Sequence, residues 1–326
     1  MARNSTMTSA TKEVDASSLL ATDDGEAVCY LCLDGRVDDE TGQPLRRDCA
    51  CRGSDAGFVH LSCLTKYAEI KSKQARGMNA FRDPWRVCPG CHQIYQNELK
   101  IDITSEFVSF VRTQYPGDTE RQMESLHLKM RALGSMFERL QPRQKREYGV
   151  TANVLLSLID RMKGDTLSPL PRRYSWVEAD AYHTHGRIAL SEGTQESARR
   201  AVDHFEKYLK VNEANGFAGG VSTAKSNIAL AKSKYEGGNN NEEILKASQE
   251  LYELHIAEDG EGNEYTIRAG KYYAVDLQKA NRRGEARELL TKLLATSKQV
   301  LGPHHNTTKV TEATLKQVVA ELKIVN

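Results

Sequence analysis

No run of apolar residues in this chain is long enough to cross a bilayer. The longest notable one, around Val154 to Ile159, falls far short of the roughly twenty residues a spanning helix needs. The opening stretch, MARNSTMTSATKEVDASS, lacks the apolar centre of a secretory signal. Net charge is nearly absent as well. Lys and Arg number 45 against 44 Asp and Glu, a formal +1, so no general field draws the molecule to nucleic acid or an acidic membrane. Neither a Walker loop nor a GxSxG turn occurs. After position 91 there is no cysteine. These absences lead us to expect a soluble intracellular protein, cytoplasmic or nuclear, with no transmembrane segment and no nucleic-acid partner. At 326 residues it is long enough for two or three domains.

All seven cysteines lie between positions 29 and 91. A disulfide framework would leave one thiol over and lacks an export signal, so metal ligation is the expected role. The order is Cys29-x2-Cys32, then Cys49-x-Cys51, then His60-x2-Cys63, then Cys88-x2-Cys91. A pair two residues apart can curl both donors onto one ion, and two pairs complete the tetrahedron of closed structural zinc. Eight donors therefore imply two Zn2+, with His60 standing where an eighth ligand is required. Sequential pairing would group Cys29, Cys32, Cys49 and Cys51, leaving His60, Cys63, Cys88 and Cys91. Interleaved pairing would join Cys29, Cys32, His60 and Cys63 at one ion and Cys49, Cys51, Cys88 and Cys91 at the other. Spacing alone does not choose.

The order of four cysteines, one histidine and three cysteines resembles the RING-CH (RINGv) family. So do Cys49-Ala-Cys51-Arg52-Gly53-Ser54 and Gly57-Phe58-Val59-His60-Leu61-Ser62-Cys63-Leu64. The resemblance covers about residues 27 to 95 and implies interleaved pairing in a small zinc-stabilised α+β module. It also implies a ubiquitin-protein ligase, whose docking surface for a ubiquitin-conjugating enzyme would include Leu31, Tyr67 and Pro89. Tyrosine replaces the commoner tryptophan at position 67, and His92 follows the last ligand where arginine or lysine often stands. The PHD finger, a histone-tail reader, shares the ligand order, and Trp85 lies near its tryptophan position. The spacing around the third to fifth ligands fits RING-CH better. Between Cys63 and Cys88 we expect a helix from Leu64 to Lys73 and then a turn at Arg76-Gly77-Met78-Asn79.

The remainder reads as helix. Residues 1–26, rich in Ser, Thr, Ala and Asp, are expected to be disordered. The zinc module is placed at 27–100 and a helical hairpin or connector at 101–165. In that hairpin Leu126, Met130, Leu133, Phe137 and Leu140 recur at helical spacing, as do Val154, Leu155, Leu158, Ile159 and Met162. Gln141 to Gln144 would turn one helix into the other. Gly164 to Pro171 reads as a linker, and Ser175-Trp176-Val177-Glu178 as a capping box opening the next helix. From 174 to 326 an all-α helical-repeat domain, an α-solenoid, is expected. Gly260 and Gly302 are forty-two residues apart, as are Thr266 and Thr308, while Thr223 and Ala231 precede Thr266 and Ala274 by forty-three. Gly186, Ala189, Ala201 and Leu209 resemble tetratricopeptide positions, and the longer period resembles the kinesin-light-chain variety. Three degenerate repeats and a closing helix from Thr307 to Val325 follow.

No catalytic set is expected among these helices. His183 with His185, and His304 with His305, are read as core or solvated histidines. The arginine pairs are read as wet helix faces, and Asn239 to Asn241 as a loop cap. The function expected is a ubiquitin ligase that uses its repeats to hold a protein substrate. Such an enzyme acts by positioning the reactants and has no catalytic side chain of its own. The alternatives are a non-catalytic zinc-and-repeat adaptor and, behind it, a histone-tail reader.

Overall fold

A computed structural model describes residues 27–35, 37–38, 41–49, 51, 57–165, 172–235 and 241–325. The expected disordered tail, Arg52 to Ser54, the linker beyond Asp165 and the cap at Asn239 and Asn240 lie outside those residues. Among the described residues of the zinc module, β structure is three isolated antiparallel bridges, Val37 with Pro44, Arg46 with Val59, and Val87 with Ile94.

Helix α1, Leu61–Lys73, begins immediately after His60 and buries Leu64, Ala68 and Ser72. The chain turns through Gln74 to Gly77 and enters α2, Met78–Arg82, then a 3-10 turn at Asp83–Trp85. Met78 and Asn79 are therefore helical rather than part of the expected turn, because Phe81 needs a helical approach to reach the core (it is 3% exposed). Trp85 is fully buried, stacks on Phe107 at 5.0 Å and donates its indole N–H to Ser72 Oγ at 2.7 Å. That hydrogen bond satisfies the one polar atom of an otherwise apolar ring.

Helix α3, Asn97–Gln114, is absent from the sequence-based expectation. It carries Leu99, Ile103, Phe107, Phe110 and Val111 into the same core as Cys29, Val59, Leu64 and Cys88. The boundary expected at residue 100 falls inside it. Asp48, just before the ligand Cys49, accepts from Leu99 N–H and from the Asn97 side chain, and Arg46 pairs with Asp102 at 3.2 Å. A carboxylate at a helix N-terminus satisfies unpaired N–H groups and complements the helix dipole. Loop and helix are thereby pinned together.

Helix α4 spans Thr119–Ser135 with Asp118 as its N-cap, and α5 spans Pro142–Asp165. Phe137 and Leu140 do not continue α4. They sit in and after a 3-10 turn at Phe137–Arg139, yet both stay buried. Pro142 opens α5, where its missing N–H costs nothing, so the turn lies before it. Helix α6 runs Arg172–Ser191, a turn earlier than the expected capping box. Ser175 lies inside it and is buried, since Tyr174 and Val177 already pack against Leu155, Leu158 and Ile159 of α5.

The repeats are α6 with α7 (Gln195–Asn215), α8 (Ala218–Tyr235) with α9 (Asn241–Asp259), and α10 (Glu264–Lys279) with α11 (Arg283–Val300). Helix α12, Asn306–Val325, closes the array. Each helix packs mainly on its sequence neighbours, the arrangement that makes solenoids quasi-one-dimensional. The forty-two-residue period has a physical cause. Thr266 Oγ1, at the start of α10, donates to the carbonyls of His255 and Gly260 at the end of α9. Thr308 of α12 does the same for Ser297 of α11. Gly260 and Gly302 take φ of 82° and 90° at the helix ends, where a Cβ would be strained. Gly186 is required for another reason: a Cβ there would stand 2.4 Å from Phe205 Cε1.

Candidate metal centres and their rim

Two loops with the same hydrogen-bond pattern present the cysteine pairs at either end of the module. In the first, Cys29 N–H donates to Asp34 O and Leu33 N–H to Cys29 O; in the second, Cys88 N–H donates to Gln93 O and His92 N–H to Cys88 O. Each loop aims two sulfurs at one point. His60 and Cys63 come from the start of α1, and Cys49 and Cys51 from the loop that Asp48 ties to α3.

The donors gather as two quartets, Cys29, Cys32, His60 and Cys63, and Cys49, Cys51, Cys88 and Cys91, with the donor atoms of each within 4.8 Å of one another. The pairing is interleaved. Distances fit a tetrahedral zinc. With Zn–S of ~2.3 Å and Zn–N of ~2.0 Å, the edges should be about 3.8 Å for S···S and about 3.5 Å for S···N. Cys51 Sγ lies 3.7 Å from Cys88 Sγ, and His60 Nδ1 lies 3.5 Å from Cys32 Sγ and 3.8 Å from Cys63 Sγ. His60 Nε2 is 3.0 Å from Gly35 O. A hydrogen bond there keeps the proton on Nε2 and leaves the Nδ1 lone pair for the metal, the usual outer support of a ligating histidine. Among the described residues these are the only groupings of three or more such donors.

Without a cation the second quartet ionises unevenly. Burial, with the hydrogen bond and charge of Cys88, pushes the Cys51 thiol up to about 11, while the hydrogen bond from Cys49 brings Cys88 down to about 4. A zinc ion removes the difference, because every coordinated thiol is deprotonated outright. Backbone also approaches the second quartet closely. Gly57, at φ 84°, would place a Cβ 2.8 Å from Cys51 Cβ and 2.9 Å from Cys49 Sγ. Tyr30 and Tyr95 cover the quartet from the core side. Both hydroxyls are shifted upward, first by burial and then by charge, from Cys88 at Tyr30 and from Tyr30 and Cys88 at Tyr95.

Of the three residues expected to dock a conjugating enzyme, Leu31 is half-buried in the first cysteine loop and Pro89 half-buried in the last. Tyr67 is half-buried on α1, one turn beyond Cys63, and with Leu31 it leans on the module's core. Leu33 escaped the sequence reading. It is an apolar side chain 75% exposed, at φ 65°, immediately after Cys32. Its signal was available: it stands after its cysteine pair as His92 stands after the other, at the position where the loop needs a left-handed residue.

Histidines of the repeat region meet aromatic rings, one another and backbone. His183 packs on the rings of Phe205 and Tyr208, His185 stacks on His204, and His305 Nδ1 accepts from Thr307 N–H. No helix among the described residues is long and apolar enough to cross a membrane.

Several solved structures are similar to the chain at low identity. BtubC (BKLC) from P. vanneervenii is 17% identical, with a TM-score of 0.42, covering 68% of this chain and 82% of that one. A kinesin-light-chain protein of nearly identical TPR-like repeats from Podosopora anserina is 14% identical, with a TM-score of 0.35, covering 73% and 95%. A point variant of that protein matches at 14% identity and a TM-score of 0.37, with the same coverage. No curated protein matches the chain. One family model does match, over residues 29–91, and its description is the RING-variant domain. The match runs from the first ligand to the last: residues 29–91 are a RING-variant domain.

Proposed function

We propose that the chain is a ubiquitin-protein ligase whose RING-variant domain docks a ubiquitin-conjugating enzyme and whose helical repeats hold a protein substrate. RING-variant domains are in general associated with such ligases. The observation that carries the reading is the rim of the two metal centres. Leu31 stands between two ligands of one quartet and Pro89 between two of the other, each half-buried in a loop braced by metal. Tyr67 adds an aromatic from α1. Side chains on rigid loops lose little further entropy on binding. Transfer would proceed by orienting the enzyme-bound thioester against the acceptor lysine, which requires no catalytic group from this chain.

The test is ubiquitin discharge from a panel of loaded conjugating enzymes. The wild-type chain should accelerate discharge by at least one of them. Truncating an interface hot spot costs ~2 kcal/mol or more, so Leu31→Ala should weaken docking roughly thirtyfold while zinc content stays at two. Equal stimulation by both proteins would remove this rim from the reading.

The adaptor reading has one observation of its own. The zinc module shares its core with α3, which packs on α4, so zinc would serve to finish the end of the helical array. Absence of stimulation across the whole panel would favour it.

A further inference from the structure

A cavity of about 450 Å³ lies where the zinc module meets the helical array. Arg86 and Lys100 come to it from the module side, Arg131 from α4, Arg187 from α6, and Arg268 and Lys271 from α10. The array folds back far enough that Arg131 of α4 donates to the Tyr265 hydroxyl of α10 at 2.8 Å. Lys100 of α3 feels the charge of Glu264, and His305 that of Lys100. The walls therefore close around the space from several directions, and its volume falls in the range of small-molecule sites.

Acidic groups in the lining are fewer than these cations, although Arg86 is paired with Asp83 at 3.1 Å. Asp180 is engaged by His127 at 2.8 Å, Glu264 accepts from the Thr307 hydroxyl at 2.9 Å, and Glu138 is exposed, 4.0 Å from Arg187. Among the described residues, no carboxylate comes within ion-pair distance of Lys100, Arg131, Arg268 or Lys271. The unbalanced field registers on two side chains. Burial, joined by Arg131, Arg268 and Arg86, pushes Lys100 down to about 8 against the opposing charge of Glu264. At Tyr272 burial would raise the hydroxyl, yet Lys271, Arg268 and Arg187 bring it below its ordinary value. Like charges gathered around one partly enclosed space repel, and an anion among them relieves that repulsion.

We propose that this cavity binds a compact, multiply charged phosphate compound. Arg131, Arg187 and Arg268 would supply forked donors that match phosphate oxygens, and Lys100 and Lys271 would act as point charges. A compact ligand fits better than an extended acidic peptide, because the cations gather around one space of about 450 Å³. The inference does not depend on the ligase reading.

Calorimetric titration of the zinc-loaded full chain with inorganic tripolyphosphate tests it. Saturable binding is expected, weakening as salt rises. Arg268→Gln and Lys271→Gln should each weaken it about tenfold, and Lys210→Gln, an exposed lysine outside the cavity, should leave it unchanged. Zinc content and helical circular dichroism report folding, and if one cavity variant fails to fold the other decides. The proposal is overturned if no saturable binding is seen at millimolar probe, or if Lys210→Gln costs as much as the cavity variants. It is overturned equally if a linear acidic peptide of matched charge binds more tightly than tripolyphosphate.

Discussion

Leu33 and His92 are structural counterparts. Each stands four residues after the first cysteine of its loop and returns its N–H to that cysteine's carbonyl, with φ of 65° and 55°. Two unrelated side chains thus occupy one backbone role, left-handed and non-glycine at both ends of the module. A left-handed conformation costs an ordinary residue ~1–2 kcal/mol, and asparagine tolerates it better. Because the Leu33 side chain is 75% exposed, replacing it loses little burial. Leu33→Asn should keep two zincs and raise the melting temperature of the module by a few degrees. Scanning calorimetry would check this; a lower melting temperature would mean that the exposed leucine makes contacts of its own.

Gly57 offers a way to separate the two metal centres. A methyl at this position meets Cys51 Cβ and Cys49 Sγ at less than van der Waals distance, on a backbone with φ 84°. Overpacking and left-handed strain together should cost ~2–4 kcal/mol. Gly57→Ala should then weaken zinc at the second centre roughly thirtyfold to a thousandfold and leave the Cys29, Cys32, His60 and Cys63 quartet unchanged. A chelator titration decides, and release of both zincs at the wild-type chelator concentration would refute the expectation.

Chelation should reach beyond the ligands. Helix α3 packs five apolar side chains into the metal-braced core and is held at its start by Asp48, the neighbour of Cys49. Structural zinc contributes on the order of ~10–16 kcal/mol in small fingers, too much for that core to replace. Hydrogen exchange after chelation should show Leu99 to Val111 losing protection together with α1, while α7 and α8 keep theirs. Protection of α3 that survives chelation would show that α4 alone supports it.

Acid should weaken the helical array through His183. Burial first, then Arg187, against the opposing pull of Asp180, lowers this imidazole from 6.5 to about 4. The unfolded chain takes up the proton near 6.5 and the folded chain only near 4, so between those values the unfolded state holds more protons. Stability is therefore whole above about pH 6.5 and falls as pH drops towards 4, by up to roughly 3 kcal/mol. Urea melts of His183→Gln should lose less stability between pH 7 and 5 than melts of the wild type, any acid release of zinc being common to both. Parallel losses would place the acid sensitivity elsewhere.

The zinc ligands were legible because metal coordination is written in residue type and spacing, and even the pairing followed from a resemblance carried by a few adjacent residues. The repeat period was legible because Thr266 and Thr308 repeat one hydrogen bond, with a glycine ending each preceding helix. Helix α3 was missed although Leu99, Ile103, Phe107, Phe110 and Val111 have helical spacing; the ligand pattern drew a boundary through it, and core membership crosses such boundaries. Helix ends were least legible. Ser175 has the chemistry of a cap, but Tyr174 gains more by packing on α5, and burial decides where α6 starts. The basic cavity could not be read at all, because its cations come from five separate helices or loops and meet only when the array folds back.

The sharing of α3 between metal-braced core and helical array also bears on how the chain is made. Synthesis delivers Cys91 before Val111, so the last ligand emerges ahead of the helix that completes its core. At ~5–20 residues per second, that interval lasts on the order of a few seconds. During it all eight donors are available to metal while the apolar wall behind them is unfinished. A nascent chain that has captured zinc presents a formed template to the emerging α3, and one that has not presents seven free thiols. The supply of metal during translation therefore selects between a chain that builds onward from its amino end and one exposed to oxidation and aggregation before its repeats exist.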